Sequence, residues 1–275
     1  MYIYFMARKA KDTVITILLF LFSAAAAFCA VVWLALSWIL GSGPDDYEAA
    51  ADPWSAGEQF NREIAYGSLV YEGQAYRTVK IGTQVWMAEN LNFKTERSVC
   101  YGNADSNCTK YGRLYDWDEA MKACPDGWRA PGDEDWDRLA AAVGGRRAED
   151  EDGDERAEDE DRDRWYIGDY WDTAGEKLRS KIGWYFFRST RGTDEFGFSA
   201  LPGGFRDADG SFDNVHFNGC WWSATEYDAS YAWFRYMDFY SGGVQKYGDY
   251  KMSMFSLRCL QGSADLRQRR TAAVH

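Results

Sequence analysis

An α+β fold, in which two short helices flank a small twisted and mostly antiparallel sheet with long loops, is predicted by three observations. Two stretches of helical period lie back to back in residues 111–139, YGRLYDWDEAMKACPDGWRAPGDEDWDRL. Strand-like alternation runs on both sides of them. The composition belongs to a turn-rich β core: aromatics are 17% of the chain with 13 Trp, and 26 Gly stand against 5 Pro.

In the helical pair, Asp116 is placed to cap a helix whose Trp117, Ala120, Met121 and Cys124 recur on one face, and Pro125 with Gly127 ends it. Pro131-Gly132-Asp133 is a stop and a cap for a second helix, whose stripe of Trp136, Leu139, Ala140 and Val143 closes at Gly144-Gly145. Helices this short are marginal alone, so each needs a surface to bury its stripe against. Upstream, VYEGQAYRTVKIGTQVWMAENL reads as three β runs joined by turns at Gly73-Gln74 and Gly82-Thr83, with Val79, Ile81, Val85 and Met87 facing one side. Residues 92–110 read as a loop in which Cys100 and Cys108 close a short ring. From 183 to 259 short aromatic runs follow one another between turns, among them CWWSATE, YAWFRYMDF, GVQKYGDY and FSLRCL.

The 275 residues have material for one globular domain of roughly 190 residues. Residues 13–40 are apolar and uncharged, about 28 residues or about 42 Å as a helix, enough to span a hydrocarbon core of roughly 30 Å. Arg8, Lys9 and Lys11 precede this stretch and Asp45, Asp46 and Glu48 follow it. That places residues 1–12 in the cytoplasm and the domain outside, in the periplasm or on the cell surface. A cleavable signal peptide is the competing reading, with Ala24 to Ala27 as its processing site. Residues 41–67 read as a tether, 68–262 as the domain, and 263–275 as a polar tail. The acidic run 149–163 reads as part of an insertion, residues 147–164, into a loop.

The runs VKIGTQVWMAENLNFKT, SVCYGNADSNCTKYGRLYDWDEAMKACPDGWRAPGDEDWDRL, GTDEFGFSALPGGFRDADGSF, NGCWWSATEYDASYAWFRYM and FSLRCLQ, in that order, resemble the Fibrobacter succinogenes major paralogous domain family from Leu69 to Gln261. The resemblance implies a C-type-lectin-like fold and a disulfide between Cys124 and Cys259. The acidic insertion, and Cys220 before Trp221-Trp222, depart from the family pattern. Five cysteines lie outside the apolar segment, so export makes two bridges plus one remaining thiol the natural reading: Cys100 with Cys108, Cys124 with Cys259, and Cys220 left over, an intermolecular bridge being its alternative.

The chemistry narrows by what is missing from the chain. A net charge of −12 argues against nucleic acid. His216 and His275 are the sole histidines, too few for a Ser-His-Asp triad or a His-rich zinc site. No C-x-x-C pair or phosphate-cradling glycine loop occurs outside the apolar segment. The expectation is therefore a domain without enzymatic activity. Asp207, Asp209, Asp213 and Asn214 are hard oxygen donors close together and invite a calcium ion, although Asp209-Gly210 is also a strong hairpin-turn signal. Trp221, Trp222, Glu226, Tyr227, Asp228 and Trp233, with Tyr231 and Tyr236 beside them, could form an aromatic-and-acid platform that stacks on sugar rings. The leading expectation is a membrane-tethered binding or adhesion domain for a polysaccharide or a surface protein. The alternatives are a structural or assembly module of the cell envelope and an oxidase of the formylglycine-generating kind, whose chemistry needs a reactive pair of cysteines.

Overall fold

Glu72 and Gly73 both adopt positive φ, 47° and 79°, as a two-residue hairpin requires for its twist to match that of its strands. They join β1 (Tyr66–Tyr71) to β2 (Gln74–Ile81), so this turn lies one residue before the expected Gly73-Gln74, and β1 begins two residues inside the expected tether. Gly82-Thr83 turns the chain into β3 (Gln84–Met87) as expected. A two-residue turn sets Ile81 opposite Gln84 and Val79 opposite Trp86. Val79, Ile81 and Trp86 therefore share one face while Val85 and Met87 take the other, in place of the single face expected for all four.

The computed structural model describes residues 64–148, 165–185 and 192–262, all in the second of the two units into which the chain divides, Glu58–His275. The apolar segment 13–40, most of the tether, the acidic run and the tail lie outside the described residues. Among the described residues no helix is long and apolar enough to cross a membrane.

Two sheets take the place of the single small one expected. In the first, β14 (Leu260–Gln261) enters between β3 and β5 (Trp128–Arg129), giving the order β1-β2-β3-β14-β5. The second runs β4 (Leu114–Tyr115), β13 (Phe255–Ser256), β10 (Asn218–Glu226), β11 (Tyr231–Asp238), β12 (Val244–Tyr250), β7 (Trp165–Asp172) and β6 (Arg146–Ala148), with β8 (Gly203–Arg206) and β9 (Phe212–Val215) branching from β10. β6 takes in Arg147 and Ala148 and pairs antiparallel with β7, so the segment between the two strands starts at 149.

Among the described residues four short α-helices accompany these sheets. The first, α1 (Asp105–Tyr111), is a helix where the sequence reads as loop; its DSNCTK run carries no apolar stripe, and the Cys100–Cys108 disulfide staples it to the turn before it. In α2 (Trp117–Ala123) the Asp116 carboxylate accepts the Glu119 N–H at 3.0 Å, as expected of its cap. In α3 (Asp133–Ala142) the capping carboxylate is instead Asp135, which reaches back to the Gly132 N–H at 2.8 Å. Burial disfavours its charge, but Arg129 and the Gly132 N–H outweigh this and hold Asp135 below the ordinary carboxylate range. The last, α4 (Ala174–Leu178), is too short to have shown a period.

Two apolar clusters result. One joins Val79, Ile81 and Trp86 to the α3 stripe, Trp221, Met237 and Val244. The other gathers Tyr76, Met87, Tyr115, Trp222, Phe234, Phe255 and Leu257. Between them Asn90 acts as a polar pivot. Its Oδ1 accepts from Trp221 Nε1 at 2.8 Å and from Arg258 Nε and Nη2 at 3.1 and 2.7 Å, and its Nδ2 donates to the Tyr111 carbonyl at 2.8 Å. Arg258 is fully buried, which brings its guanidinium down to about 9. A second disulfide ties Cys124, at the end of α2, to Cys259 beside β14. Cys220 lies outside both bridges and is buried, so the bridge in trans has no sulfur at the surface to form it.

Candidate functional site

The turn between β10 and β11 is fixed by main-chain chemistry. Asp228 Oδ1 accepts the N–H groups of Ser230 and Tyr231 at 2.7 and 2.8 Å, and the Tyr227 N–H donates to the Tyr231 carbonyl at 3.1 Å. Lys251 bolts this tip to the body. Its Nζ donates to Glu226 Oε1 at 3.1 Å and to the carbonyls of Asp228 and Ala229 at 2.9 and 3.2 Å, and sits 4.6 Å from the centre of the Trp117 ring. Trp117 is itself held by donating Nε1 to the Ser223 carbonyl at 2.9 Å.

Between Trp222 and Glu226 the ladder shifts: Trp222 lies opposite Phe234, yet Glu226 lies opposite Ala232. The extra residues let β10 swing toward α3, where Ser223 Oγ donates to Asp133 Oδ1 at 2.6 Å and Thr225 Oγ1 accepts the Asp133 N–H at 3.0 Å. Asp133 also meets Arg235 at 3.0 Å and Lys246 at 2.8 Å, while Arg235 reaches Asp137 at 3.2 Å. A buried cation flanked by two carboxylates locks α3 to the sheet.

These constraints sort the six candidate platform residues. Trp221 and Trp222 are fully buried and form no part of a platform. β10 has core on both of its faces, so its alternation sends Trp221 into one cluster and Trp222 into the other, where Nε1 donates to the Tyr115 carbonyl at 2.7 Å. Trp233 is also withdrawn: Lys246 Nζ stands 4.4 Å from its ring centre, and it lies across Gly248 with Tyr227 edge-on at 4.9 Å. Glu226, Tyr227 and Asp228 are exposed, Tyr227 at 46%.

The structure adds residues that the linear reading passed over. Tyr250 lies directly opposite Tyr231, their rings 4.4 Å apart and both half-buried. The alternation in GVQKYGDY signals a strand there, but not that Tyr250 lands beside Tyr231. Trp117, Lys246 and Lys251 come from elements remote in sequence. The outcome is a rim at the hairpin end of the larger sheet, where the rings of Tyr227, Tyr231 and Tyr250 adjoin the carboxylates of Glu226 and Asp228 on a scaffold fixed by Lys251. Such a rim offers faces for stacking and acceptors for hydroxyl groups.

The proposed calcium ligands do not converge. Asp209 Oδ1 accepts from Ser211 N–H and Oγ at 2.8 and 2.7 Å, closing the β8–β9 hairpin, and Asp213 Oδ1 takes the Asn214 N–H at 2.7 Å. Gly210, at φ 95°, supplies the turn conformation. Among the described residues no group of three or more His, Cys, Asp or Glu side chains could hold a metal ion. Asp207, Asp209, Asp213 and Asn214 lie along the β8–β9 hairpin, where Asp209 and Asp213 each use a carboxylate oxygen on a neighbouring N–H. His216 is partly buried, with Nδ1 3.3 Å from the Tyr111 hydroxyl and 3.2 Å from the Gly183 carbonyl.

The fold and its rim define a disulfide-clamped α+β domain, mostly sheet, with a tyrosine-and-carboxylate surface at one end. The chain belongs to the Fibrobacter succinogenes major domain family, whose model matches residues 79–261. No curated protein and no solved structure matches it.

Proposed function

We propose that this chain is a binding module held outside the cytoplasm by an N-terminal membrane anchor, and that the rim of Glu226, Tyr227, Asp228, Tyr231 and Tyr250 recognises a polysaccharide without transforming it. Membership of the family suggests a cell-surface or extracellular domain. Two disulfides agree with an oxidising compartment. A C-type-lectin-like arrangement is supported by the bridge from the end of α2 to the C-terminal strands.

The observation that carries the reading is that three tyrosines and two carboxylates come together where the β10–β11 turn, stiffened by Lys251, meets the facing end of β12. A preorganised aromatic surface loses little conformational freedom on binding, which favours stacking on sugar rings. No calcium is required. The sulfur of Cys220 is buried and His216 is engaged inside the fold, in keeping with recognition rather than reaction.

The test is a screen of the full chain against neutral and acidic polysaccharides, followed by Tyr227→Ala and Tyr250→Ala. Each substitution should weaken binding about tenfold, the loss of roughly 1.4 kcal/mol of ring contact, and chelation of calcium should leave binding unchanged. An absence of polysaccharide binding, or full affinity in both variants, refutes the assignment.

A further inference from the structure

Glu226 and Asp228 are the two carboxylates of the rim, and each commits one oxygen to the protein itself. Glu226 Oε1 accepts from Lys251 Nζ, and Asp228 Oδ1 accepts the N–H groups of Ser230 and Tyr231. Among the described residues no donor reaches Glu226 Oε2 or Asp228 Oδ2. Both side chains are exposed. Because the engaged oxygen of each is held, the direction of the open one is set before any ligand arrives.

The cations of β10, β11, β12 and the turn that follows are Arg235, Lys246 and Lys251, and all three are committed. Arg235 is buried between Asp133 and Asp137. Lys246 donates to Asp133 at 2.8 Å against the Trp233 ring, and only 14% of its side chain is exposed. Lys251 is shared among Glu226, the carbonyls of Asp228 and Ala229, and the Trp117 ring. Two carboxylates and one shared ammonium leave the rim with one negative charge uncompensated. An acidic sugar would set its carboxylate beside like charge with no ammonium left to receive it. A neutral sugar brings hydroxyl donors but no charge. A protonated amine brings both, in the charge-assisted hydrogen bonds that are the stronger kind, and the faces of Tyr231 and Tyr250 attract a cation as well as a sugar ring.

We propose, resting on the reading of this rim as a polysaccharide site, that it selects polysaccharides carrying free amino groups, whose ammonium groups donate to Glu226 Oε2 and Asp228 Oδ2 while a sugar ring lies on the tyrosines. One exposed ion pair is worth only about twofold to fivefold in affinity. Selection therefore needs the two carboxylates together, which amount to about tenfold. The same sugars with their amines acetylated keep the ring contact and lose that factor.

The test is titration calorimetry of the full chain in mild detergent with three oligosaccharides: a hexamer of β-1,4-linked glucosamine, its N-acetylated counterpart and a hexamer of galacturonic acid. In mildly acidic buffer, where the amines are protonated, the amino hexamer should bind about tenfold more tightly than the acetylated one. The galacturonate should bind most weakly, and added salt should narrow the differences. Glu226→Gln with Asp228→Asn keeps an amide oxygen for Lys251 and for the turn N–H groups. At an unchanged melting temperature it should bring the amino hexamer down to the affinity of the acetylated one and leave the latter unaltered. The acidic run 149–163 is intact in that variant, so attraction due only to the net charge of −12 would survive the double substitution. Equal affinity for the amino and acetylated hexamers, a preference that survives the double substitution, or tightest binding of the galacturonate overturns the proposal. If both glucosamine hexamers bind alike and Tyr250→Ala weakens both alike, the polysaccharide reading stands without it; if no oligosaccharide binds, the two fall together.

Discussion

Asn90 does more for this fold than its single amide suggests, because one oxygen accepts from Trp221 and from both Nε and Nη2 of a fully buried arginine. Asn90→Ala would leave Arg258 and the Trp221 N–H buried with their principal acceptor gone. It should lower stability by about 3–5 kcal/mol in urea denaturation, the range for stripping a partner from a buried charge. Asp135 contributes to the acid side of the stability profile. Its folded pKa lies below the ordinary 3.8. The stability it contributes is therefore fully present above that value and is lost as pH falls through the depressed one. Asp135→Asn should remove this part of the acid dependence, flattening stability against pH below about 4, and at neutral pH should cost about 1.5–3 kcal/mol for the charged hydrogen bonds. A capping aspartate such as Asp116 is legible in sequence because its partner is three residues away. Asn90 is not, since its donors lie 131 and 168 residues distant.

Among the elements, the β1–β2 turn holds a mismatch that can be corrected. Glu72 sits at φ 47°, a conformation that costs a glutamate about 1 kcal/mol and an asparagine much less. Glu72→Asn should raise stability by about 0.5–1 kcal/mol, measured as a higher urea midpoint at an unchanged slope. Turn chemistry also explains why alternation alone gives the wrong faces: a two-residue turn at Gly82-Thr83 sets odd positions of β2 opposite even positions of β3, so Val79 and Ile81 share a face with Gln84 and Trp86 and not with Val85 and Met87. β10 shows the limit of alternation from another side. A strand covered on both faces has no outward row, and Trp221-Trp222 reads as a half-exposed pair only while the second cluster is unknown. The helices behaved according to their stripes. α2 and α3 were legible from their apolar spacing, whereas α1, polar and fixed by a disulfide, left no period to read.

For the molecule as a whole, the two disulfides differ in what they restrain. Cys124–Cys259 closes a loop of 135 residues and Cys100–Cys108 one of 8. In the chain-entropy account they are worth about 5 and about 2.5 kcal/mol. Replacing both members of the long bridge by alanine should therefore lower the melting temperature by roughly twice as much as replacing both members of the short one, in scanning calorimetry of the purified chain. The long bridge also joins α2 to the neighbourhood of β14, which returns the C-terminal end of the domain to the N-terminal sheet between β3 and β5.

From its amino acids alone this chain determined its class, its two apolar-striped helices, the Gly82-Thr83 turn, its family and, through the resemblance to that family, its Cys124–Cys259 bridge, because each of those is written in local period, in turn residues or in motifs that survive linear reading. Tertiary structure decided which aromatics are core and which are rim. It also decided that the Asp209 carboxylate closes a hairpin turn. Those outcomes depend on what covers each face, and coverage is settled by contacts between residues far apart in the chain, for which no local pattern exists.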